Sequence, residues 1–506
     1  MLAKLKSFGL HGLNGYPVSV EVDVHGGLPA FDIVGLADTA VKESRERVRI
    51  AIKNSGFYYP VNKVVVNLAP ADTKKEGSIF DLAIAIGVLC VTEQVVLQKA
   101  REFFYLGELS LDGKLTKING VLPILISAKE QGYDNIIIPR QNADEAKYVE
   151  GLNIYLADSL EEVVRELDGC LPMLTLPAQK WQPDSGTDSP HDMKHIKGQF
   201  FAKRALEIAV AGGHNILMIG PPGAGKTMLA KAVPTIMPDL TFEEALEIAK
   251  IYSVAGKLDG FVFKRPFRTP HHTASMISLT GGGQKAKPGE ISMAHNGVLF
   301  LDELPEYPRN LLETLRQPLE DKVITVSRAA LTVSYPANFM LVASMNPCPC
   351  GYYGSQTRAC TCSIGQIQKY MSKLSGPLLD RIDINIDVDS LPYKDLQEDG
   401  YAESSAAVKE RVDAARYIQT ERYKNDKIFC NAQMSVPLIK KYCKIDQKSQ
   451  ALLEESFIKL NLTARAYNRI LKVARTIADL DGKSNILPVH IAEALQYRSS
   501  DKLKNN

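Results

Sequence analysis

From Pro17 to Val24 the apolar residues Val18, Val20, Val22 and Val24 alternate with Ser19, Glu21 and Asp23. This period of two predicts a strand with one face in a core and one in solvent. A helix is expected from Asp38 to Asn54, an apolar strand from Lys63 to Leu68, a buried helix near Phe80 to Val91, and a hairpin turning at Asp112-Gly113. The mixture reads as α/β. Residues 171–193, LPMLTLPAQKWQPDSGTDSPHDM, carry Pro, Ser, Asp and Gly that sustain neither helix nor ladder, and so predict a linker. Beyond it, apolar strands are expected at Ile216–Ile219, Gly297–Glu303, Phe339–Met345 and Ile382–Val388, and the tail turns helical. The expected organisation is an α/β domain over 1–170, a linker over 171–193, a nucleotide-binding α/β core over 194–390, and a helical lid over 391–506.

The strand Ile216–Ile219 runs into GPPGAGKT: Gly220, Pro221, Pro222, Gly223, Ala224, Gly225, Lys226 and Thr227, followed by helix-forming MLAKA. Glycines there let backbone N–H groups approach phosphates, and the new helix presents its positive end to them. Lys226 then reaches the terminal phosphates of ATP, and Thr227 offers its hydroxyl to Mg²⁺. In GVLFLDE, from Gly297 to Glu303, Asp302 suits magnesium and its waters, and Glu303 suits polarising the attacking water. The third strand ends at Asn346, whose amide can donate to a γ-phosphate and orient water. Arg381, in GPLLDRID before an alternating strand, can project from one subunit toward the phosphates of the next. Arg465 begins a helix in LTARAYNRILKVARTIADL; with Arg469 and Arg475 it reads, on the residues alone, as solvated helix-face charge.

The run RPFRTPHHTASMISLTGGGQKAKPGEISMAHNGVLFLDE, with LLDRIDI and TARAYNRILKVARTIADL, resembles the magnesium-chelatase-like branch of AAA+ ATPases, and within it the ComM/YifB group. The resemblance covers almost the whole chain. It implies a P-loop α/β core with a parallel sheet and a C-terminal α-helical lid. Arg381 matches the trans-acting arginine finger and Arg465 the sensor arginine, so the family implies a ring, usually a hexamer. It also implies DNA remodelling, by branch migration in recombination and natural transformation. Kinship with a chelatase motor subunit leaves that chemistry as a rival, although the N-terminal domain is of another kind. His271 and His272 belong to the family motif without an assigned role.

Residues Lys75–Leu82, KEGSIFDL, and Gly107–Pro123, GELSLDGKLTKINGVLP, look like the two catalytic segments of Lon proteases, a ribosomal-S5-like α/β fold. Lon needs a serine in the first and a lysine base in the second, because a serine hydroxyl is inert until a base takes its proton. Ile79 stands at the serine position and Leu122 at the lysine position; Ser78 is one residue away, and Lys117 and Lys129 are the nearest lysines. No active protease is expected, though an ATP-dependent protein remodeller or peptidase remains the alternative function. A retained fold without its catalytic pair suggests a scaffold, as in the RadA recombination ATPase, which it also resembles.

Charge narrows the search for a DNA surface. Sixty Lys plus Arg against 58 Asp plus Glu leaves a formal charge of +2, so contact with a polyanion must be local. Lys42, Arg45, Arg49 and Lys53 share one face of the expected helix, with Val41, Val48 and Ile52 facing a core. The stripe fits a phosphate backbone or a plain solvated face. Lys285 and Lys287, in the loop GGGQKAKPG, fit a mobile ring-pore contact or an ordinary surface turn.

With 506 residues, 45% hydrophobic and 23% charged, the chain exceeds one core of about 250 to 300 residues and has ordinary globular composition. No export signal or stretch of roughly 18 apolar residues is visible, so a cytoplasmic protein is expected. Its eight cysteines then read as thiols or metal ligands. Cys348, Cys350, Cys360 and Cys362 form C-x-C-x₉-C-x-C just after Asn346, fitting a tetrahedral zinc site or four reduced thiols.

Overall fold

The computed structural model describes residues 2–184, 189–283, 286–328, 331–355, 358–390, 402–459 and 462–498. They group into two compact units, Met1–Gln182 with Phe242–Val262, and Pro183–Thr241 with Phe263–Asn506. Among the described residues no helix is long and apolar enough to cross a membrane.

The first unit is built on an eight-stranded mixed sheet. In spatial order its strands are Leu174–Thr175, Asn153–Ala157, Asn135–Pro139, Phe104–Tyr105, Leu2–His11, Asn14–His25, Lys63–Ala69 and Ala30–Val34. The alternation read from the sequence sets its faces: Val18, Val20 and Val22 are buried, while Ser19, Glu21 and Asp23 stay partly exposed. Asp38 caps the helix Thr39–Asn54 by accepting from the Val41 N–H at 2.8 Å, filling one orphan donor of its first turn. That helix buries Val41, Val48 and Ile52. Arg47 locks it to the buried helix Asp81–Val91 through a 2.9 Å bond to Asp81. Gly87 lets this second helix touch the sheet, since a Cβ there would lie 2.5 Å from Val22 Cγ2.

Two segments depart from the pattern reading. Leu174–Thr175, inside the expected linker, pairs antiparallel with Tyr155–Leu156 and extends the sheet edge; an edge offers free backbone groups, which override weak local propensity. The helix Phe242–Ala255, within the stretch expected to be ATPase core, groups with the first unit. It is held there by polar contacts: the Ser253 hydroxyl donates to Glu145 at 2.7 Å, and the Gly120 N–H donates to the Ser253 carbonyl at 3.1 Å.

The second unit carries a five-stranded sheet ordered Phe267–Arg268, Val298–Leu301, Met340–Met345, Ile216–Ile219, Ile384–Asp387, parallel throughout. By chain position these are its second, third, fourth, first and fifth strands. The three central ones are wholly buried, as a parallel sheet covered on both faces requires. The C-terminal region is helical: Ser405–Arg422, Val436–Tyr442, Gln447–Lys459, Ala464–Leu480 and Pro488–Gln496. His214 ties core to lid, with Nδ1 2.9 Å from Asp383 and Nε2 2.9 Å from the Thr476 hydroxyl.

Arg469 and Arg475 are not the solvated charges their spacing suggested. Arg469 is buried, 3.2 Å from Asp380 and donating to the Ile382 carbonyl; Arg475 is buried against Asp479 and the carbonyls of Lys483 and Ser484. Both bury because carbonyls and carboxylates of packed elements satisfy their donors, without which a charge stays out of a core.

Candidate active site

Three neighbouring strands end side by side. Ile219 pairs with Met345, and Leu301 with Ala343, so Gly220, Asp302 and Asn346 leave the sheet at one carboxyl edge, where open α/β sheets bind ligands. The loop from Gly220 turns at Gly223 and Gly225, with φ of 80° and 87°, and opens the helix Lys226–Ile236. A Cβ at Gly220 would lie 2.1 Å from the Val388 carbonyl oxygen, so only glycine fits between those strands. By contrast, a Cβ at Gly223 or Gly225 would meet nothing within 4 Å. That open space faces a helix N-terminus with no side-chain cap, and such uncapped N–H groups suit an anion.

Lys226 is buried at 8% exposure. Its ammonium donates to the carbonyls of Gly220 at 2.6 Å and Pro221 at 2.9 Å, and to Asn346 Oδ1 at 3.2 Å. Burial lowers its pKa despite the opposing carboxylates of Asp302 and Glu303. Thr227 Oγ1 donates to Asp302 Oδ2 at 3.0 Å, and the Ser344 hydroxyl donates to Asp302 Oδ1. Glu303 follows in a left-handed backbone conformation, φ 52°, with Oε2 3.7 Å from His272 Nδ1. The Tyr307 hydroxyl, donating to the Pro270 carbonyl at 2.6 Å, fastens the His272 loop to the turn after Glu303. A hydroxyl and a carboxylate at 3 Å suit an octahedral Mg²⁺, and the buried ammonium suits the phosphates it would neutralise. Ser344 and His272 were missed as site residues: the serine lies inside an apolar strand, and the histidine's neighbour is fixed only by folding.

Arg381 and Arg465 make no hydrogen bond or ion pair with this cluster among the described residues. Arg381 pairs with Glu320 at 2.5 Å and donates to the Pro377 carbonyl at 2.6 Å. Arg465, 74% exposed, lies 3.4 Å from Asp380.

The four cysteine sulfurs lie within 4.8 Å of one another, with Cys348 3.3 Å from Cys350 and 3.7 Å from Cys360, and Cys350 3.6 Å from Cys360. Bonds of about 2.3 Å to a tetrahedral zinc would set sulfurs about 3.8 Å apart, so the residues fit that ion. Backbone N–H groups of Thr361 and Tyr352 on its sulfur pull the Cys350 thiol down to about 5, whereas at the other two a backbone N–H is outweighed by desolvation and the neighbouring sulfurs, which push Cys360 up to about 12 and raise Cys362.

The DNA candidates fare unequally. Lys42, Arg45, Arg49 and Lys53 are exposed on the helix Thr39–Asn54, but Glu46 pairs with Arg45 at 3.4 Å and Arg49 at 2.9 Å, so two of the four cations share one carboxylate. Lys287 is not on a freely mobile loop. Gly281–Gly282 pairs with Lys287–Pro288, and the Tyr335 hydroxyl donates to the Ala286 carbonyl at 2.9 Å. Gly281 is required there for close approach, since a Cβ would lie 2.4 Å from the Lys287 oxygen. Lys285 falls outside the described residues. In the first unit Ile79 and Leu122 are buried and Ser78 donates to Glu108; Lys117 donates instead to the Leu258 carbonyl at 3.0 Å.

A parallel sheet in this strand order, with a phosphate loop after its first strand, paired carboxylates after the third and asparagine after the fourth, defines the AAA+ class of P-loop proteins. Family models agree along the chain: magnesium chelatase subunit ChlI over residues 192–396, subunit ChlI of Mg-chelatase over 20–142, and the ChlI C-terminal region over 402–498. The chain belongs to this magnesium-chelatase ChlI family of AAA+ proteins, alongside ComM and YifB. It is 46% identical to competence protein ComM of Haemophilus influenzae, over 99% of this chain and 98% of that one. It is 44% identical to YifB of Escherichia coli, over 97% and 96%. Lon protease 2 of Bacillus subtilis is 27% identical over 29% of this chain and 28% of its own.

Proposed function

We propose that this protein is a cytoplasmic, ATP-driven DNA-remodelling motor, acting as a helicase or branch-migration enzyme in recombination or natural transformation. It works as a ring, usually a hexamer, that hydrolyses ATP at subunit interfaces. The observation that carries the reading is the meeting of Lys226, Thr227, Asp302 and Asn346 at one sheet edge, in a chain 46% identical to a competence protein over nearly its full length. Lys226 and the backbone N–H groups at the open turn from Gly223 to Gly225 hold the phosphates. Thr227 and Asp302 hold Mg²⁺, which offsets charge on the β- and γ-phosphates. Glu303 accepts a proton from the attacking water, and Asn346 orients it.

Arg465, on the helix Ala464–Leu480 of the lid, acts as the sensor arginine, and Arg381, paired with Glu320, acts as the finger on the neighbouring subunit's phosphates. There an arginine stabilises charge as the γ-phosphate leaves. The first unit acts as a DNA-facing scaffold rather than a peptidase, since apolar Ile79 and Leu122 stand where a serine and lysine would be needed. The four cysteines hold a structural zinc.

The test is ATP hydrolysis with and without single-stranded, duplex and four-way-branched DNA, beside a Lys226→Ala control. Stimulation by DNA that the control abolishes is expected. Absence of stimulation by any DNA would overturn the DNA reading and turn the search to protein substrates.

A further inference from the structure

The loop after Asn346 touches the phosphate loop directly. Gly351, at φ 87°, sits so close to Pro222 that a Cβ built on it would lie 2.5 Å from Pro222 Cδ and 3.8 Å from Asn346 Cγ. The Gly351 N–H donates to the Cys348 carbonyl at 2.9 Å, closing a tight knuckle that begins two residues past Asn346. Cys348 is fully buried, so one end of the cysteine cluster is rooted beneath the nucleotide edge. At the other end Cys362 leads into the helix Ile364–Met371, whose start carries a capping box of Ser363 and Gln366. Tyr370 on that helix is buried, and its oxygen meets the backbone N–H of Asn346. The cluster therefore grips Asn346 from both sides.

Few of the loop's described residues are buried. Among the described residues between Cys350 and Cys362, only Gly351 is buried; Tyr353, Gly354, Arg358, Ala359 and Thr361 are exposed. A segment that buries so little apolar surface cannot offset the entropy of ordering it, and a bound metal can. The sulfurs, 3.3 to 3.7 Å apart, already stand close to the spacing of about 3.8 Å that a tetrahedral zinc would set.

We propose that metal binding by Cys348, Cys350, Cys360 and Cys362 positions the phosphate loop, by pressing Gly351 onto Pro222 and holding Asn346 beside Lys226, so that nucleotide affinity depends on the metal. The inference rests on the zinc reading above and adds a function to it. The cysteines and Gly351 are positioning residues here; none touches ATP.

Zinc content and the affinity for a fluorescent, non-hydrolysable ATP analogue are measured on the full chain purified without chelators, on Cys360→Ser with Cys362→Ser, and on Gly351→Ala. Wild type is expected to carry one zinc per chain. The double variant should lose it and bind the analogue at least about tenfold more weakly, as for one lost charge-assisted hydrogen bond. Gly351→Ala should keep zinc and still bind weakly, because its methyl group displaces Pro222; it also serves if the double variant does not fold. Wild type without zinc would overturn the metal site itself. Wild-type affinity in a zinc-free double variant, or in Gly351→Ala, would let the metal site stand and overturn the positioning role.

Discussion

The Thr227 hydroxyl lies 3.0 Å from Asp302 Oδ2 across 75 positions of chain. The other carboxylate oxygen accepts from Ser344 on the adjacent strand, so Asp302 is aimed by two hydroxyls, one from the first turn of the helix Lys226–Ile236 and one from a neighbouring strand. Partners of this kind typically change metal affinity by about 10- to 100-fold. Ser344→Ala should raise the Mg²⁺ concentration for half-maximal ATP hydrolysis about tenfold while leaving the maximal rate nearly unchanged. An unaltered magnesium titration would remove Ser344 from the site.

Asn346 shares its amide oxygen with Lys226 at 3.2 Å and keeps its amide N–H groups for a ligand. Asn346→Ala should lower kcat by about 100-fold, the scale of one lost transition-state donor, with a much smaller change in nucleotide affinity. Steady-state kinetics beside equilibrium binding separates the two. A loss confined to KM would mean that Asn346 only binds.

Asp383, its side chain 14% exposed, lies 2.9 Å from the buried His214. Burial alone would raise its pKa, but the hydrogen bond and charge of His214 overcome this and hold it below its ordinary 3.8. A carboxyl depressed in the folded state stabilises above its unfolded pKa, and that stability is lost as pH falls through the folded value. His214→Asn should cost about 3 kcal/mol at pH 7 by leaving a largely buried carboxylate without its partner. The gap from wild type should narrow below pH about 4, as Asp383 takes up a proton. Thermal unfolding across pH tests this; a constant gap would assign the loss to packing alone.

Lys75 is fully buried, and its ammonium finds no hydrogen-bond partner among the described residues. Burial pushes its pKa below the usual 10.5, so the charged form opposes folding at neutral pH. Lys75→Met should stabilise the first unit by about 2 kcal/mol. This advantage should shrink as pH rises toward 10.5, where the unfolded lysine also loses its proton. A lower melting temperature for the variant would show that the amine has a partner in solution.

Patterns confined to a few adjacent residues were legible in the sequence. The alternation around Val20, the helix starting near Asp38, the glycines at Gly223 and Gly225, and the strand ends at Asp302 and Asn346 are each set by local backbone sterics or by periodicity against a core. Other features depended on residues far apart in the chain. Arg469 and Arg475 occupy positions that look solvated on a helix wheel, yet are buried because Asp380, Asp479 and carbonyls from neighbouring elements meet them. Leu174–Thr175 became a strand because an open sheet edge lay beside it. Gly351 gives no local sign that it will press on Pro222. Periodicity and turn chemistry are properties of contiguous chain and so can be read from it, whereas the partners of a buried charge or a tight contact exist only once distant segments have packed.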